Sequence, residues 1–178
     1  VFVGVGQSAL LAIKLGEGNQ TACERIHGAL VTLKVVLFFV LPPLVYLFLD
    51  PILRWTGGEG VTPEALKQAK IYLRIVLFSH FFSHLAFGLS AAMRSEGAVV
   101  SSMMCMVVGF GANLVLDPLF IFGFKMGVAG AAWATLIAML LSCLWALAYY
   151  RPGHSAVRLR LSRLGVYRDV VLRAAGIG

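Results

Sequence analysis

The chain has 178 residues, of which 60% are hydrophobic and only 13% charged, and its mean hydropathy is +0.88. A water-soluble domain is roughly a quarter charged, so this composition excludes a soluble globular protein and marks a polytopic helical membrane protein. The net charge of +7 does not point to nucleic acid, because the arginines crowd into one stretch with no binding module around it.

Five apolar segments follow one another, at 1–16, 29–49, 71–93, 98–124 and 128–150. A bilayer-crossing helix needs about 20 mostly apolar residues, which the last four supply. The first begins in mid-segment, with no basic stretch before it and no cleavage site after it, so it is not a signal peptide and the chain reads as an internal piece of a longer protein. Breakers separate the segments: GEGN at 16–19, TGGEG with Pro63, RSEG at 94–97 and GFKMG at 123–127. Such short connections make sequential helices antiparallel neighbours. Residues 1–150 therefore form a membrane unit of all-α class, a transmembrane helical bundle. Residues 151–178 form a basic linker, and its sequence VRLRLSRLGVYRDVVLR mixes arginine with Val, Leu and Tyr. That mixture suits the surface of an anionic bilayer.

Basic residues set the orientation. Lys14, Arg25, Arg94 and the arginines from Arg151 to Arg173 follow the first, third and fifth segments, and these loops are expected in the cytoplasm. On the other side Arg54, Lys67, Lys70 and Lys125 are partly offset by Asp50, Glu59 and Glu64.

Within the apolar run 98–124 stands one acidic residue, Asp117, four positions after Asn113 and directly before Pro118. A carboxylate at that depth is expensive to keep and is a functional candidate by default. Asn113 and Asp117 share a helical face. Pro118 has no N–H to give, and its ring crowds the Leu114 carbonyl, which kinks the helix. A carboxylate, an amide oxygen and a released carbonyl within one turn suit a proton or a small alkali cation. Thr135 and Asp117 both lie nine positions from Met126, the centre of the connecting hairpin, so an antiparallel pair brings them to one depth. The small residues Gly127, Gly130, Ala131, Ala132 and Ala134 allow the two helices to approach closely.

Other polar residues carry weaker signals. His80 and His84 share a face at i, i+4, but the glutamate of a zinc-type HExxH is replaced by Phe81, and core or pore-lining histidines are the plainer reading. Arg74 is placed near a helix start, within reach of the interface. Lys34 lies deeper and needs a cavity or a partner. Arg94 and Glu96 form either a solvated, capped turn or a lock between helix ends. Cys23, Cys105 and Cys143 have no metal or disulfide spacing and read as small apolar packers. No nucleophile–base set, phosphate loop or cofactor box is present in the sequence, so nothing at residue level supports an enzyme or a bound cofactor.

The stretch GANLVLDPLFIFGFKMGVAGAAWATLIA (111–138) resembles the most recognisable segment of the multidrug and toxic compound extrusion (MATE) transporters. LSAAMRSEG (89–97) resembles their fourth helix and its exit, and SALLAIKLGEGNQTA (8–22) the end of their second. The resemblance implies twelve helices in two six-helix lobes, with export driven by protons or sodium. The chain would then be part of the amino-terminal lobe, from within the second helix to the sixth, in the cell membrane. In that family, residues matching Asn113, Asp117 and Thr135 complete a cation site with an Asp of the first helix, which lies outside this chain. The implied substrates are organic cations and drugs, and the implied partners are the bilayer and the remaining helices of the same transporter. A lipid-linked oligosaccharide flippase of the same wider superfamily is the alternative. It would need a cavity lined with several cations, for which Lys34 and Arg74 are the available residues.

Overall fold

The computed structural model describes residues 2–57 and 62–151, and these are helical with short connections and no strand. Six α-helices run in order: α1 Phe2–Gly16, α2 Gln20–Leu47, α3 Leu49–Gly57, α4 Pro63–Ser95, α5 Val99–Pro118 and α6 Gly127–Tyr149. A π-helical turn, Leu119–Gly123, continues α5. Four of these units are long and apolar enough to cross a bilayer: α2, α4, α5 with its π turn, and α6. The basic linker beyond Arg151 and the centre of the TGGEG connection lie outside the described residues.

The apolar cores of the segments fall where hydropathy puts them, but two helices start earlier. α2 begins at Gln20 instead of residue 29, because Asn19 caps it by accepting the Ala22 N–H at 3.0 Å. α4 begins at Pro63 instead of 71, with Thr62 as N-cap and proline at the first position, where a missing N–H costs nothing. Polar helix formers carry both helices beyond their apolar stretch. The early start also moves Arg74 about three turns into α4, where its guanidinium stacks 5.1 Å over the Tyr46 ring instead of sitting near a helix start. Pro42 and Pro43 lie inside α2 without ending it.

Connections turn where backbone freedom permits. Gly18 and Gly97, in the GEGN and RSEG breakers, take φ of +70° and +82°, a region costly for residues with a Cβ.

α4 is the central helix and packs against α1, α2, α5 and α6, while α5 and α6 form a tight hairpin. α4 and α6 pack together, and both are rich in buried small residues: Ala86, Ala91 and Ala92 on α4, and Ala132, Ala134, Ala138 and Ala146 on α6. Without a hydrophobic drive between helices in lipid, such small residues supply contact by letting backbones close in. Leu11, Cys23, Ile26, Leu89 and Met93 fill the core near the α1–α2 connection. All three cysteines are free and buried. On the outer side of α5 and its π turn, Leu114 and Phe122 are 77% and 75% exposed, a face built for lipid or neighbouring helices.

One polar contact pins the hairpin. Ser142 Oγ donates to the Cys105 carbonyl at 2.8 Å, and the two side chains meet at 3.3 Å. Gly109 lies beside them, with room for little more: a Cβ there would stand 3.1 Å from Ser142 Cβ. Interhelical hydrogen bonds in membranes contribute about 0.6 kcal/mol on average, reaching about 1.7 kcal/mol. Ser142→Ala is therefore expected to cost roughly 1 kcal/mol, read as a lower melting temperature of the full-length protein in detergent. An unchanged melting temperature would mean that the contact contributes nothing.

Candidate cation site at the end of α5

The carboxylate lies in the last turn of α5. Asn113 Nδ2 donates to Asp117 Oδ1 at 3.2 Å along one face of the helix, and both residues are half-buried. No basic side chain pairs with Asp117 among the described residues. The contact leaves Asn113 Oδ1 and Asp117 Oδ2 without a hydrogen bond to another described residue. Pro118 closes the α-helix, and beyond it the bonding widens, with the Phe124 N–H reaching the Leu119 carbonyl at 2.9 Å. A proline that gives no N–H to the Leu114 carbonyl, followed by a π turn, is an irregularity of the kind found at functional sites in otherwise regular helices.

Thr135 sits in the third turn of α6. Cys105 and Gly109 lie against Ser142, and Phe120 against Gly130, which puts Thr135 level with the turn between Asn113 and Asp117. Its hydroxyl donates to the Ala131 carbonyl at 2.9 Å. No hydrogen bond joins it to Asn113 or Asp117 among the described residues. The structure thus brings Asn113 and Asp117 into direct contact and leaves Thr135 at their depth, with its proton committed to its own helix and its oxygen lone pairs free to accept. Four oxygen types are available here: carboxylate, amide, hydroxyl and backbone carbonyl. Hard oxygen donors suit a proton or sodium and offer nothing to a soft metal.

At the other end of the bundle, RSEG is a lock. Arg94 donates to Ser90 Oγ at 3.1 Å and to Ser102 Oγ at 2.8 Å, tying α4 to α5. Ser95 Oγ donates to the Ser8 carbonyl at 2.8 Å, and Tyr149 Oη to Glu96 Oε2 at 3.4 Å. The same motif therefore reaches α1 and α6. Sequence reading left the choice between capped turn and lock open, because Ser8 and Ser102 carry no pattern that announces a partner. His80 and His84 stack with ring centroids 6.0 Å apart, and among the described residues no third metal-ligating side chain joins them.

Comparison with known proteins places this geometry. Residues 1–119 match the family described as MatE. The multidrug export protein MepA of Staphylococcus aureus (strain MSSA476) is 29% identical over 180 aligned residues, taking in 98% of this chain and 38% of that protein. A solved inward-facing multidrug resistance MATE family transporter of the MOP superfamily superposes with a TM-score of 0.91 at 27% identity, over 99% of this chain and 40% of that one. An outward-facing conformation of such a transporter gives a TM-score of 0.86 at 26% identity, over 97% of this chain and 38% of that one. The chain spans about two fifths of the length of the proteins it resembles.

Proposed function

We propose that this chain, which belongs to the MatE family, forms part of one membrane lobe of a cation-coupled antiporter that exports organic cations and drugs in exchange for protons or sodium. It is a multi-pass membrane protein with four apolar helices of spanning length, and it acts together with the remaining helices of the same transporter. The observation that carries the reading is the Asn113–Asp117 pair at the proline-terminated end of α5. A packing role is met by an amide alone, without the burial cost of a charge. The carboxylate adds a group whose charge is cancelled by a proton or a sodium ion. Binding of the ion changes the electrostatics of the lobe, and drug and ion are coupled if each favours a different orientation of it. Asn113 holds Asp117 in place, and Thr135 offers a further oxygen at the same depth.

The test is transport by the full-length protein in vesicles. With ethidium as the organic cation, uptake is expected to depend on an imposed proton or sodium gradient, while a lipid-linked oligosaccharide precursor stays in its leaflet. Ethidium movement indifferent to both gradients, or flipping of the lipid-linked precursor, would overturn this reading.

A further inference from the structure

A second cavity, remote in chemistry from the carboxylate site, lies between α2 and α4. It measures about 430 Å³ and is lined mostly by apolar side chains, among them Phe38, Phe81 and Phe87. Its ionisable members are all bases: Lys34 from α2, and His80 and His84 from α4. The lining contains no acid.

Lys34 lies inside the apolar stretch of α2, about 7–8 Å along the axis from its edge near residue 29 at 1.5 Å per residue. Its stem is long enough to snorkel toward that edge. The side chain instead lies against α4 where Gly88 leaves room, since a Cβ on that glycine would coincide with the Lys34 ammonium. Among the described residues the ammonium has no hydrogen-bond or ion-pair partner. An ammonium packed against a neighbouring membrane helix without a counter-charge is costly, and such residues mark sites that receive one. The volume is that of a small-ligand pocket, where a mostly apolar wall with a few converging polar groups sets the chemistry of the occupant.

We propose that this cavity binds a small amphipathic anion, an aromatic carboxylate whose charge pairs with Lys34 and whose ring lies among the phenylalanines. His80 and His84 supply further N–H donors toward the anionic end, and the all-basic lining repels organic cations. The lining runs along α2 from Leu33 to Val45, inside the apolar stretch, which favours a free small molecule over a lipid phosphate at the bilayer surface. The site is separate from the coupling reading, and its test needs no ion gradient, so either stands or falls without the other.

The experiment is equilibrium binding of radiolabelled 1-naphthoate to the full-length transporter in phosphatidylcholine vesicles. Saturable binding is expected, weakened at least about tenfold in Lys34→Met and held within about threefold in Lys34→Arg, which keeps the charge. On the wild-type protein, the neutral 1-naphthalenemethanol should compete at least about tenfold more weakly than unlabelled naphthoate, and 1-naphthylmethylammonium not at all. Wild-type affinity in Lys34→Met, or equal competition by the neutral alcohol, would overturn the proposal. If Lys34→Met does not fold, the competition series on the wild type decides alone. Binding should be the same in phosphatidylglycerol vesicles, and its loss there would mean that lipid phosphate holds the cavity, which overturns the small-anion assignment.

Discussion

Asp117→Asn is expected to reduce gradient-driven ethidium uptake by the full-length transporter to the level of protein-free vesicles, without lowering the amount of protein in the membrane. The substitution keeps the size of the side chain and its capacity to bond Asn113, so the end of α5 should hold its shape. What it removes is the charge that a proton or sodium ion cancels, and with it the difference between ion-bound and ion-free lobes. Stability should not suffer, because a half-buried charge without a basic partner among the described residues is itself a cost. Loss of transport together with loss of fold would therefore contradict the argument as much as wild-type transport would. Gradient-driven uptake at the wild-type rate in Asp117→Asn vesicles would make the carboxylate a packing residue. The coupling ion would then have to bind elsewhere.

The apolar segments and their order were legible because a bilayer imposes a length and a composition on whatever crosses it. Helix starts were less so. The early turns of α2 and α4 contain Glu24, Arg25, Glu64 and Lys67, which a hydropathy reading counts as loop although they continue a helix once Asn19 or Thr62 caps it. At the candidate site, the Asn113–Asp117 contact followed from spacing alone, since i and i+4 must meet on one face. The choice made by Thr135 did not. A threonine hydroxyl in a helix can turn to its own i−4 carbonyl or to a neighbouring helix, and nothing in the sequence selects between them. The cavity shows a similar limit from the other side. Lys34 declared a need for a partner, and His80 and His84 declared a shared face, but only packing reveals that α2 and α4 point them into one space. Gly88, which makes room for Lys34, gave no signal because glycine in a membrane helix has several ordinary uses.

Gly130→Ala should destabilise the protein by roughly 2 kcal/mol, and Gly130→Val by more, because overpacking a close contact costs about 1–3 kcal/mol. A Cβ at position 130 would stand 2.8 Å from the Phe120 carbonyl oxygen and 2.9 Å from its carbon. Both are backbone atoms, so no flexible side chain can move aside. The carbonyl cannot retreat easily either, since it accepts the Met126 N–H at 3.1 Å and so closes the α5–α6 connection. That connection is already constrained, with φ of +53° at Lys125 and +57° at Gly127. Relief must therefore come from separating α6 from the π turn that follows Asp117 and Pro118, which would shift the level of Thr135 against the Asn113–Asp117 pair. Gly111 provides the control. It lies on the same helix as Asp117, and a Cβ added there would meet nothing within 4 Å, so alanine should be neutral or stabilising by up to about 1 kcal/mol through helix propensity. Melting temperatures of the two alanine variants in detergent should move in opposite directions or, at the least, only Gly130→Ala should fall. Equal melting of Gly130→Ala and wild type would show that the hairpin opens freely at this point and that the depth of Thr135 is not held by it.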